Sequence, residues 1–118
     1  MKENNIIKEK TFAFALMIIE LYQKLVKTNE FILSKQLLRS GTSIGANVEE
    51  ATAAQTKRDF ITKMSIASKE ARETKYWLRL LNESKLTNEN LSIQLKEIDE
   101  IINIITAIVK TSQTSLKT

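Results

Sequence analysis

The chain has 118 residues, which fits one domain and leaves little room for a second. Its 42% hydrophobic and 27% charged residues can build a core, unlike a disordered tail, while the absence of cysteine and histidine excludes thiol nucleophiles, disulfides, histidine bases and the usual zinc or haem ligand sets. The net charge of +4 permits RNA, DNA or acidic protein partners without requiring them.

There is no proline and there are only two glycines, so almost nothing interrupts a helix and the turn residues that a sheet needs are missing. The longest apolar run, Phe12 to Ile19, spans eight residues, far short of the roughly 20 of a membrane-spanning helix. The Met1-Lys2-Glu3-Asn4-Asn5 start lacks a secretory pattern, so a cytoplasmic location is the expectation.

The spacing predicts a first helix over about 4–27, with Ile7, Phe14, Met17, Ile18, Leu21 and Leu25 on one face. Phe12, Ala13, Ala15, Leu16, Ile19 and Tyr22 widen its apolar surface. Thr28 or Asn29 is placed to cap a second helix over about 31–54, whose apolar positions are Leu33, Leu37, Ile44, Val48 and Ala51. Gly41 and Gly45 lie inside it. Each costs about 1 kcal/mol relative to alanine, and their four-residue spacing puts both on one face, where another backbone can come close.

Thr56 is placed to cap a third helix over about 57–82, with Asp59 as its acidic third residue. Phe60, Met64, Ala67, Ala71, Leu78 and Leu81 form its seam with Thr74 as the polar member, and Trp77 and Leu80 lie off it. A fourth helix over about 88–111, capped by Thr87 or Asn88, steps through Leu91, Leu95, Ile98, Ile102, Ile105 and Val109. Ile101, Ile104 and Ile108 add a second strip, and Thr111–Thr118 reads as a frayed end. Four long helices joined by short connections imply an all-α, antiparallel, up-down-up-down four-helix bundle.

A bundle helix needs an apolar stripe at about three positions in seven. The surplus at Phe12, Leu16, Ile19, Trp77, Ile101, Ile104 and Ile108 points to a homo-oligomer interface, the alternative being a broad core with scattered exposed residues. Arg39, Ser43, Asn47 and Glu50 form a polar strip beside small residues, with Arg39–Ser43 and Asn47–Glu50 placed for local hydrogen bonds. No carboxylate grouping on the middle helices makes a di-iron set and no nucleophile has a recognisable base, so no catalytic residue, metal site or cofactor is expected.

The positive excess sits on the third helix. Lys57, Arg58, Lys63, Lys69, Arg72, Lys75, Arg79 and Lys85 stand against Asp59, Glu70, Glu73 and Glu83, which accounts for the whole net charge of +4. The first seven of these basic residues are the candidate nucleic-acid-binding set, with Tyr76 beside them for base stacking. The competing reading is a solvated face with Glu70–Lys63 and Glu73–Lys69 pairs, on a scaffolding bundle with no nucleic-acid role.

The segment from Leu37 to Ala51 resembles the signature of the four-helix bundle proteins encoded in 23S rRNA intervening sequences, approximately Leu-Arg-Arg-Ala-x-x-Ser-Ile-x-x-Asn-Ile-x-Glu-Gly. Leu37, Arg39, Ser43, Ile44, Asn47 and Glu50 match it, with Val48 conservative, and Asp59-Phe60 and Ile66-Ala67 resemble elements of its third helix. Gly45 stands where that family often has proline, Ala51 where it often has glycine, and Met17 or Ile18 where an aromatic is common. The resemblance implies the bundle fold and homo-oligomers, pentameric in related members. Related basic bundles accompany the reverse transcriptases of diversity-generating retroelements, so RNA or a reverse transcriptase is an implied partner; neither a membrane nor a small-molecule substrate is.

Overall fold

A computed structural model describes residues 2–117. Its elements are four α-helices: α1 (Lys2–Lys27), α2 (Leu33–Thr52), α3 (Lys57–Ser84) and α4 (Ser92–Lys117). Each helix packs on its neighbours in sequence and α4 closes the ring loosely against α1, an antiparallel bundle measuring 51 × 21 × 21 Å. No helix among the described residues is long and apolar enough to cross a membrane.

The helix ends show which local signals acted. α1 stops in a left-handed Asn29 (φ 69°), where Glu30 N–H bonds to Leu25 C=O and Asn29 N–H to Val26 C=O, both at 3.0 Å. This is a Schellman turn, and Asn29 closes α1 instead of capping α2. Glu30 supplies the start of α2: its carboxylate accepts from Leu33 N–H (3.3 Å) and Ser34 N–H (2.6 Å). Thr56 does cap α3, its hydroxyl accepting from Asp59 N–H at 3.0 Å. At α4 the expected caps are displaced. Thr87 accepts from Glu89 N–H inside the loop, and Asn90 accepts from Ser92 N–H where the helix begins. The C-terminal segment, expected to fray, continues as helix to Lys117, and Lys57 of α3 donates to Ser115 Oγ at 2.7 Å.

The core follows the predicted seams on α1, α2 and α3. Gly41 and Gly45 face α1: a Cβ at Gly41 would sit 3.0 Å from Ile18 Cγ2, and one at Gly45 would sit 3.4 Å from Thr11 O. On α4 the expectation needs correction. Ile101 is fully buried and Ile108 nearly so, and with the expected Ile98, Ile102 and Ile105 they form the inward stripe. Ile104 is half-buried against the core. The extra strip therefore serves the bundle itself, because α4 must contact α3 on one side and α1 on the other. Trp77 is likewise half-buried against the core. Only Phe12, Leu16 and Ile19 of the expected interface set lie on the outside, 65%, 54% and 39% exposed, on the side of α1 opposite Ile7, Phe14 and Ile18.

Candidate functional site

α3 has two flanks of different electrostatic character. Glu70 and Glu73 project toward α2, where Arg39 donates to both, to Glu70 Oε2 at 3.2 Å. Glu73 Oε2 also accepts from Trp77 Nε1 at 3.0 Å. That bond and the Arg39 guanidinium hold the Glu73 carboxyl below its ordinary pKa. At least two turns away along the same seam, Lys63 meets Glu50 at 2.8 Å. Beneath these pairs the buried Thr74 hydroxyl donates to Glu70 C=O (2.8 Å) and meets the buried Ser40 hydroxyl at 2.9 Å.

The Arg39–Glu50 strip is thus the polar edge of the α2–α3 seam. The local pairs expected within it do not form: Arg39 and Glu50 both reach across to α3, and Asn47 Nδ2 donates to the Ser43 carbonyl (2.9 Å). Ile44 is buried in the core. Glu70–Lys63 and Glu73–Lys69 pairing is also replaced, because Arg39 holds both carboxylates and Glu50 holds Lys63.

The opposite flank faces α4. Lys75 pairs with Asp99 (2.7 Å) and Arg79 with Glu83 (3.3 Å), whereas Arg72 Nη2 reaches only the Thr106 hydroxyl at 3.4 Å. Lys69 and Arg58 have no carboxylate partner among the described residues. Between the two helices runs a groove of about 290 Å³, to which α3 contributes Ser65, Ser68, Lys69 and Arg72, and α4 contributes Thr106, Val109, Lys110 and Gln113. No acidic residue lines it. Three cations face hydroxyl and amide groups there, a surface suited to a phosphate oxyanion.

The structure therefore divides the seven predicted basic residues. Lys63, Lys75 and Arg79 are neutralised by carboxylates, Lys57 is bonded to Ser115, and Arg58, Lys69 and Arg72 keep their charge for solvent. Lys110 was missed, although a signal existed. Lys57–Ser115, Arg72–Thr106 and Lys75–Asp99 keep the near-constant register of a hairpin turning close to residue 88. Folding the sequence about that turn puts Lys110 opposite the segment of Ser65 to Lys69.

A second hollow, about 710 Å³ and mostly apolar, lies at the end of the bundle where the α2–α3 loop meets α4; Phe60, Ile104 and Ile108 line it. Among the described residues there is no cluster of three or more potential metal ligands.

A family profile described as 23S rRNA-intervening sequence protein matches residues 3–107. No curated protein matches the chain. Among solved structures, the chain is similar to a protein of unknown function from the S23 ribosomal protein family of Bacteroides thetaiotaomicron VPI-5482, known from a crystal structure. The two are 46% identical with a TM-score of 0.87, and the match covers 92% of this chain and 98% of that one.

Proposed function

The chain belongs to the 23S rRNA-intervening sequence protein family, and from that membership we propose that it is a non-enzymatic binding bundle that holds nucleic acid, RNA foremost, in the α3–α4 groove. One observation carries the reading: Lys69, Arg72 and Lys110 converge on a groove with no acidic residue, while nearby basic residues are neutralised. Each neutralised phosphate releases condensed counterions, so affinity must fall steeply as salt rises. Anisotropy of a labelled RNA at two salt concentrations tests this. The triple reversal Lys69→Glu, Arg72→Glu and Lys110→Glu should lower affinity by about 100-fold or more and flatten the salt dependence by roughly two logarithmic units per unit, at about 0.7 per lost phosphate contact. Affinity indifferent both to salt and to the reversal would overturn the groove as the binding surface.

A second reading rests on Phe12, Leu16 and Ile19, which follow i, i+4, i+7 spacing on the outer face of α1. An exposed stripe of that size on a soluble bundle supports self-association, and the pentamers implied by the family resemblance fit it. Assembly would repeat the groove and strengthen weak contacts by multivalency. In light scattering, Phe12→Glu with Leu16→Glu should convert an oligomer to a monomer. A wild-type chain that is monomeric at micromolar concentration would end this reading. A reverse transcriptase as partner, and action in the cytoplasm, belong to the same proposal.

A further inference from the structure

We infer that the α3–α4 groove takes a single, unpaired strand of nucleic acid, with Tyr76 as the platform for one of its bases; this rests on the groove reading above. Lys69, Arg72 and Tyr76 are separated by three and four residues, so they form one stripe along α3. Two of them supply charge and the third a ring that is 54% exposed. Its exposed face, one turn beyond a basic groove, is open to a ligand.

Its ring is also held in place. Tyr76 meets Trp77 edge-to-face, with centroids 5.3 Å apart and planes at 66°. Trp77 is fixed in turn by its Nε1 bond to Glu73, which Arg39 binds from α2. The structural flank of α3 thus steadies the ring that borders the binding flank. A preorganised aromatic loses little freedom on binding, and stacking on such a ring is tolerant of base identity.

A duplex has no use for this arrangement. Its base faces are stacked inside, and proteins that bind duplex RNA read shape and backbone over successive grooves. Here the cations come from both walls of a groove of about 290 Å³, Lys69 and Arg72 from one and Lys110 from the other. That geometry closes on one sugar–phosphate backbone. Beyond Tyr76 the stripe ends where Glu83 pairs with Arg79, which confines the strand to a short segment.

The test uses the full chain and labelled twelve-nucleotide probes: oligo(U), oligo(dT), and a mixed-sequence RNA alone or annealed to its complement. Single strands should bind at least about tenfold more tightly than the duplex at the same salt. Tyr76→Ala should weaken single-strand binding by about 5- to 100-fold, the usual worth of one stacked base, and leave duplex binding unchanged. Tyr76→Phe should bind like wild type, and oligo(U) should quench Trp77 emission. Circular dichroism of both variants checks that the bundle persists. Equal affinity for duplex and single strand, or an indifferent Tyr76→Ala, overturns the stacking inference and leaves the groove reading standing. No binding of any probe overturns both. The oligo(dT) arm decides whether the 2′-hydroxyl contributes.

Discussion

Along α3, the flank that meets α2 and the flank that meets α4 draw on similar side chains and arrange them to different effect. Toward α2, Glu70, Glu73 and Lys63 each find an opposite charge on the neighbouring helix, above a buried Ser40–Thr74 contact. Toward α4, Lys69, Arg72 and Lys110 converge with no carboxylate between them. Charge on the first flank is consumed in holding two helices in register. On the second, Lys75 is matched by Asp99, but the three groove cations remain available to a ligand. Net charge alone cannot distinguish the two, since a cation counts equally whether it is matched or open.

The largest expected contrast comes from adding bulk to each flank. Ser40→Leu forces a large side chain into a fully buried contact and should lower stability by about 1–3 kcal/mol in urea titration. Ser68→Leu, at the groove, should stay within about 0.5 kcal/mol of wild type while reducing RNA affinity. Equal losses would mean that the groove is part of the packed core and would erase the contrast.

A smaller effect is expected from the charges. The Arg39 side chain is about half exposed, so Arg39→Ala should cost only about 0.5–1 kcal/mol. Lys69→Ala should be neutral or slightly stabilising, because it relieves repulsion without breaking a pair. A Lys69→Ala loss as large as that of Arg39→Ala would place a hidden partner on the open flank.

The smallest effect is a pH dependence. The Glu73 pKa lies below the ordinary carboxylate value of about 4.3, first because Trp77 Nε1 donates to it and then because of Arg39. A folded-state value below the unfolded one means that this stabilisation is complete above the unfolded value and is lost as pH falls through the folded value. Trp77 emission should therefore shift on acidification below about pH 4. The step should be absent in Glu73→Gln. An identical step in that variant would assign the titration elsewhere.

Much of the fold was legible because long helices write their buried faces into the spacing of apolar residues. The Thr56 cap and the Gly41–Gly45 close approach followed from local rules. α4 shows the limit of periodicity. Its two isoleucine strips are equally apolar, and only the positions of α1 and α3 decide that Ile101 and Ile108 point inward together with Ile98, Ile102 and Ile105. The site was half legible for a related reason. Composition located the positive excess on α3, but the pairing of Arg39 with Glu70 and Glu73, or of Lys75 with Asp99, depends on register between helices. Glu30 took the capping role expected of Thr28 or Asn29 because its carboxylate can reach forward to the N–H groups three and four residues on.

The sorting of charge across α3 also bears on rates. The bundle is a rod 51 Å long and 21 Å wide, and the groove formed by Lys69, Arg72 and Lys110 lies along one of its long sides. An approaching polyanion feels a torque as well as an attraction, so encounters are turned toward the groove before contact. Such steering raises association rates by about 10- to 1,000-fold and fades as salt screens it. The charge matching on the α2 side contributes to this indirectly: by cancelling Arg39 and Lys63 there, it leaves the α4 side of α3 as the stronger attractor.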